Sequence, residues 1–428
     1  MVVKIENIIA FYEFMYINYF TDFFLCLLFT FLHFFSKRSG RRTLLLGVLI
    51  YSCYFIVSLF GPEFLYFFDK TALLICFFTL SYNVLYFFSY RVIVSYSLVS
   101  TTIHSLFFTV MAFYVKIVPL NPLILLYYRF NDLFYSTPYP IVNLFLLYLS
   151  VAALPLLNIR LIFICFFFFC FLSFTQKTYS STKNIHQQKI KVGVVQVGLY
   201  YQLGGNTTDF FPDLLKFLRE NNDIDMVVFS ENTVYGFKNQ FNKKITQKMI
   251  SDLKASNAHQ RYAFIFNFLG FNDINNIVSV YYYKDNLLIN QKKALIPFVE
   301  QQWFFSDKHD KIDEYLSIRK DIVNQNINHN GINIKTYICY DVLFPETHKS
   351  DNELVIVQSN YKLLDKNDMY NRIIKNGSIL GWFAVATNSL AYINIQNHGG
   401  TVLIRKNGKI DYSVFATSLK KPFFVIDV

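Results

Sequence analysis

Apolar and polar positions along the chain follow two regimes that meet near residue 176. In the first, apolar stretches alternate with short polar breaks, each stretch close to the roughly 20 residues a helix needs to cross a hydrocarbon core. The stretches fall at about 14–35, 43–61, 71–90, 92–115, 139–157 and 160–176, a pattern that predicts about six membrane helices. Between the fourth and fifth lies "VPLNPLILLYYRFNDLFYSTPYP" (118–140), apolar and aromatic but broken by Pro119, Pro122, Pro138 and Pro140. It is expected to lie along the membrane interface, with Tyr127, Tyr128 and Tyr135 at headgroup level. The first stretch is too long for a signal peptide and no small-residue cleavage site follows it.

In the second regime the pattern shortens to alternating strands and helices. "IKVGVVQVG" (190–198), "IDMVVFS" (224–230), "YAFIFNFL", "NIVSVYYY", "INIKTYIC", "ELVIVQS", "WFAVAT", "TVLIR" and "FFVIDV" are predicted strands. "TDFFPDLLKFLRE" (208–220), with Thr208 or Asp209 as N-cap, "KKITQKMISDLKAS" (243–256) and residues 366–380 are predicted helices. The expected organisation is a polytopic helical membrane domain over 1–176, a polar linker over 177–189 and an α/β domain over 190–428.

Composition supports the first division. The chain has 428 residues, 54% hydrophobic and 19% aromatic, with 49 phenylalanines and a mean hydropathy of +0.30, which is unlike an ordinary soluble domain. The net charge of +11 comes with one strongly basic run, "SKRSGRR" (36–42), so it reads as membrane topology rather than nucleic-acid binding. By the positive-inside rule that run is cytoplasmic. Arg91 and Arg160 then fall on the same side, and the α/β domain faces the periplasm or its equivalent. The six cysteines form no CxxC pair, no Cys/His spacing suits zinc, and no cofactor or metal site is expected.

Three polar residues stand where predicted strands end: Glu231 after "MVVFS", Lys292 in "NQKKALIPFVE", and Cys339 after "INIKTYI". Ligands of α/β folds bind where strand ends converge. A carboxylate, an ammonium and a thiol there make a complete set for acyl transfer: base, oxyanion partner and nucleophile.

"VVFSEN", "KKALIPFVE" and "ICYDVLFPE" resemble the Glu, Lys and Cys motifs of the nitrilase, or carbon–nitrogen hydrolase, superfamily. The form Lys-x-x-Leu-x-Pro-Phe-x-Glu, after a polytopic membrane half, is similar to the apolipoprotein N-acyltransferase branch. The resemblance implies an α-β-β-α sandwich with Glu231 as general base, Lys292 as oxyanion partner and Cys339 as nucleophile. It implies supporting roles for Glu300, Tyr340 and Asp341, and a loop over the site in which Trp303, Phe304 and Phe305 guide acyl chains. It further implies a phospholipid acyl donor, an apolipoprotein acceptor, and a place in the bacterial inner membrane with the catalytic domain periplasmic. A membrane-tethered amidase and an inactive lipid-binding relative are the alternatives. The chain departs from the branch at Ala294, where the family has histidine, at Val299 in place of the glycine of "PFGE", and at "SNYKLL" (359–364) in place of an "NDAWF" type stretch. The family's tryptophan is missing from "GLYYQLGGN" (198–206), and its flanking first and last spans are not found.

Overall fold

The computed structural model describes residues 24–25, 27–36, 39–60, 70–93, 97–114, 140–153, 155, 190–231, 239–271, 274–284, 286–296, 316–344, 354–361, 369–386, 389–405 and 410–428. The chain divides into two compact units, Met1–His186 with Phe344–Lys349, and Gln187–Leu343 with Ser350–Val428.

The first unit is helical: residues 27–36, then α1 (Arg41–Phe60), α2 (Lys70–Ile93), α3 (Leu98–Tyr114) and α4 (Pro140–Ala153). Its interior is largely aromatic and aliphatic, with Phe29, Val48, Tyr51, Phe55, Tyr86, Phe87 and Phe108 buried, but its surface is apolar as well and several polar groups lie inside. Leu46, Ile50, Phe77, Leu85, Val99, Ile103, Leu106 and Phe107 are exposed, while His33, Ser52, Asn83, Thr101, His104, Ser105 and Thr109 are buried. The buried polar groups find partners inside. His33 Nε2 lies 2.9 Å from the Tyr86 hydroxyl, Asn83 Nδ2 donates to Ser52 Oγ at 3.0 Å, and the Tyr90 hydroxyl donates to the Ala152 carbonyl at 2.8 Å. Arg91 donates to the Ser39 carbonyl at 2.7 Å, so the basic 36–42 run and the end of α2 meet at one end of this unit.

Among the described residues, no helix is long and apolar enough to cross a membrane. Four of the expected spans nonetheless contain helices: α1 covers 43–60 of the span at 43–61, α2 covers all of 71–90, and α3 and α4 lie within 92–115 and 139–157. Arg41 and Arg42 open α1, Lys70 opens α2 and Arg91 stands in its last turn, and α3 and α4 have 17 and 14 residues. The expected span at 160–176, the linker and almost all of the 118–140 segment lie outside the described residues.

The second unit is built from two sheets. The elements in chain order are β1 (Lys191–Val195), α5 (Val197–Gln202), α6 (Phe210–Glu220), β2 (Met226–Phe229), α7 (Asn239–Ser256), α8 (Ala258–Arg261), β3 (Ala263–Phe271), β4 (Ile274–Tyr283) and β5 (Asn286–Gln291). They continue with β6 (Ile327–His329), β7 (Ile332–Ile338), a 3₁₀ turn at Cys339–Leu343, β8 (Leu354–Ser359), α9 (Met369–Val385), β9 (Ala391–Gln396), β10 (Val402–Arg405), α10 (Tyr412–Ser418) and β11 (Phe423–Asp427). One sheet has the order β11-β1-β2-β3-β4-β5, the other β10-β9-β8-β7-β6. In each, three consecutive strands run parallel (β1, β2, β3 and β7, β8, β9) and the next strand turns back antiparallel.

Strand alternation assigns the layers. Val192, Val194, Met226, Val228, Ala263 and Ile265 pack toward Ile334, Leu354, Ile356, Ile393 and Ile395 of the other sheet. The opposite face, with Val227, Phe229, Phe264, Phe266 and Phe268, is covered by Phe210, Leu214 and Leu218 of α6 and by Met249 and Leu253 of α7. α9 and α10 cover the second sheet: Asn394 of β9 donates to Ser378 of α9 at 2.8 Å, and Gly400 lies against Ile374 and Phe415. The unit is therefore a four-layer α-β-β-α sandwich.

The sequence expectation lacks α5, α8, α10, β5, β6 and β9, and it differs most around residues 382–396. "WFAVAT" (382–387) is not a strand: its first residues are the last turn of α9. A short apolar run has the same pattern in a buried helix and in a buried strand. The sheet instead takes "AYINIQ" as β9, a fully buried strand whose Asn394 and Gln396 hid its apolar pattern.

Candidate active site

At the C-terminal ends of the parallel strands the apolar inter-sheet layer gives way to buried polar side chains: Gln196, Ser230, Gln358, Ser359, Asn360, Gln396 and Asn397. Gln358 of β8 reaches across to the other sheet, where its Nε2 donates to the Phe229 carbonyl at 2.8 Å. The Asn397 side-chain oxygen accepts from Ser230 Oγ at 2.9 Å and from the Gly198 N–H at 2.8 Å. These bonds fix the turn after β2, and Glu231 is the next residue.

Glu231 is buried, and its Oε1 lies 3.5 Å from Lys292 Nζ, whose side chain is wholly enclosed. A buried ammonium persists when a carboxylate compensates for its lost hydration. Lys292 follows directly on β5, and the adjacent Lys293 is exposed. Lys292 is thus the lysine of the pair that joins Glu231.

Cys339 follows directly on β7, is buried, and opens the 3₁₀ turn with φ at +48°. That left-handed conformation is unfavourable for a residue with a Cβ and concentrates at functional sites. Two residues on, the Asp341 carboxylate accepts from the Lys293 N–H at 2.9 and 3.1 Å and from the Ala294 N–H. The turn that Cys339 opens and the turn after Lys292 are therefore bonded to each other. Tyr340, also singled out in the sequence, is buried in the same turn.

Tyr361, just past β8, registers the same cluster electrostatically. Burial, then the neighbouring Cys339 and Glu231, hold its hydroxyl far above the ordinary tyrosine range. Tyr392 of β9 is shifted the same way by burial, Tyr361 and Cys339. Neither tyrosine was singled out in the sequence. Tyr361 stands in "SNYKLL", where the motif departs from its relatives, and Tyr392 is one aromatic among 31 tyrosines. Glu300, Trp303, Phe304 and Phe305 lie outside the described residues. Among the described residues, no group of His, Cys, Asp and Glu is arranged to hold a metal ion.

A thiol at the tip of a constrained turn, with a carboxylate–ammonium pair bonded into the neighbouring turn, can perform nucleophilic acyl chemistry. No family model matches the chain, and no curated protein matches it in sequence. Among solved structures it is similar to a carbon–nitrogen hydrolase from Helicobacter pylori G27, at 15% identity and a TM-score of 0.38, over 57% of this chain and 90% of that one. It is similar to Saccharomyces cerevisiae Nit3, a member of branch 10 of the nitrilase superfamily, at 16% identity and a TM-score of 0.35, over 54% and 87%. A third is an amidase from Nesterenkonia sp., at 14% identity and a TM-score of 0.34, over 58% and 94%. These neighbours are carbon–nitrogen hydrolase superfamily members at low identity.

Proposed function

We propose that this chain is a membrane-embedded acyltransferase that works through a thioester on Cys339. The observation that carries the reading is the enclosed Glu231–Lys292 pair, held beside the strained turn that presents Cys339. Glu231 takes the thiol proton as the sulfur attacks an ester carbonyl. The C–S bond forms, Lys292 stabilises the developing oxyanion, and the C–O bond breaks as Glu231 returns the proton to the departing alcohol. In the second half an amine attacks the thioester. The C–N bond forms, the C–S bond breaks, and Glu231 carries the amine proton to the leaving thiolate.

The acyl donor is a membrane phospholipid and the acceptor is the N-terminal amine of a diacylglyceryl-cysteine lipoprotein. The exposed apolar side chains of the helical unit, with polar groups buried and bonded inside it, support a lipid setting. The expected setting is a bacterial inner membrane with the catalytic unit periplasmic. Trp303, Phe304 and Phe305, with Glu300 beside them in sequence, form the proposed approach for acyl chains.

The test is the intact mass of detergent-purified protein after incubation with phospholipid. A fatty-acyl adduct on Cys339, released by hydroxylamine and passed to a diacylglyceryl-cysteine peptide, is the expected result. No adduct, together with turnover of small soluble amides, would replace this reading with an amidase.

A further inference from the structure

The position of Lys292 is set by its backbone as well as by its ion pair. The ladder between β4 and β5 ends at Val278 opposite Gln291. Beyond it the Lys292 N–H still donates to the Ile277 carbonyl at 2.9 Å. The Lys292 carbonyl accepts from the side chain of Asn276, whose Nδ2 lies 2.9 Å away. Asn276 is wholly buried. Its Nδ2 also reaches Gln291 Oε1 at 3.3 Å, and its Oδ1 accepts from the Ile277 N–H at 2.8 Å. One amide therefore satisfies both faces of the strand end at the residue whose ammonium meets Glu231. Gln291 is held in turn, its N–H donating to Asn324 Oδ1 at 2.9 Å and its carbonyl accepting from Asn324 Nδ2 at 2.7 Å.

We infer that Asn276 is a positioning residue for the Cys339 reaction, acting through the backbone of Lys292. A lysine side chain has four rotatable bonds, so its Nζ is placed only as well as its Cα is held. Asn276 fixes the carbonyl side of that Cα, and Asp341 fixes the two N–H groups that follow. Without the amide, the Lys292 carbonyl is buried without its donor, the strand end shifts to find another, and Nζ moves with it. The inference rests on the proposed place of Lys292 beside the reacting carbon on Cys339, where a cation that meets the oxyanion also favours the thiolate, and its test separates the two.

The experiment follows alkylation of Cys339 by iodoacetamide against pH in the full-length protein, read by peptide mass spectrometry so that the other cysteines do not interfere. Alkylation reports the thiolate fraction. Lys292→Met should move the profile to higher pH by about one unit or more, since a nearby cation favours the charged form. Asn276→Leu should move it the same way by at least about half a unit, and should add nothing further in the Lys292→Met background. A merely structural role would lower the melting temperature and leave the profile in place, or would add its shift in both backgrounds. Either result overturns the inference. Asn276→Thr, β-branched and suited to a strand, serves if the leucine variant does not fold. If Lys292→Met itself leaves the profile unmoved, the role of Lys292 falls, and the inference with it.

Discussion

Cys339 carries a Cβ into a left-handed turn, a conformation costing about 1–2 kcal/mol that glycine would avoid. Cys339→Gly should therefore be at least as stable to denaturant as Cys339→Ala, although glycine ordinarily loses to alanine. A less stable glycine variant would mean the turn is relaxed. At the lysine pair, exposure and contact separate the two residues. Lys292→Ala should slow acyl-enzyme formation by roughly 100-fold or more, and Lys293→Ala should leave it within about twofold, measured as adduct appearance on Cys339. Of the residues named from motif spacing, Glu231 pairs with Lys292, Asp341 bonds the turn after Lys292 and Cys339 is buried, while Glu300, Trp303, Phe304 and Phe305 lie outside the described residues. Spacing reveals a residue that acts at a strand end. It does not reveal Asn276 or Tyr392, which lie near the starts of β4 and β9 and look like ordinary strand positions.

Most of the strands of the sandwich were legible because a buried parallel strand reads as a continuous apolar run. The short elements β5, β6, α5 and α8 were not, and neither were β9 and α10. β9 carries Asn394 and Gln396 inside the protein. α10 is a seven-residue helix whose signal is its cap, Asp411, which accepts from the N–H groups of Ser413 and Val414. α9 shows how an element supports the site from behind. A Cβ at Gly381 would stand 2.5 Å from the Tyr392 hydroxyl and 2.9 Å from a methyl of Val342 in the nucleophile turn. Gly381→Ala should then cost about 1–3 kcal/mol by overpacking, read from denaturant melts, and should slow adduct formation by disturbing the turn. Adding Tyr392→Phe should recover part of that loss. No recovery would mean that the clash falls on Val342 alone.

At the level of the molecule, the apolar surface of the helical unit predicts that the full-length protein stays with membranes through alkaline carbonate extraction and is released by detergent. Release by carbonate alone would argue against lipid-facing helices. The catalytic unit carries its own pH dependence. His329 of β6 meets the Tyr281 hydroxyl of β4 at 3.1 Å, joining the two sheets. Burial lowers its pKa below the ordinary histidine value, with Asp225 opposing. The unfolded chain therefore binds the proton first. The stabilisation is complete above about pH 6.5 and is lost as the pH falls toward the folded-state value. His329→Gln should flatten the slope of unfolding free energy against pH over the range just below 6.5. An unchanged slope would assign the acid sensitivity elsewhere.

The pairing of β1 with β11 joins residues 191–195 to 423–427. The sheet whose strands lead into Glu231 and Lys292 therefore closes only after residues 423–427 have left the ribosome. Until then β1 is an open edge, with unpaired N–H and C=O groups available to another chain. Contacts of such sequence separation are slow to form. The nascent α/β unit should stay sensitive to protease until residues 423–427 have emerged, and a chain stopped at residue 422 should aggregate rather than accumulate in folded form. The order of synthesis then decides when the surroundings of Cys339 become whole.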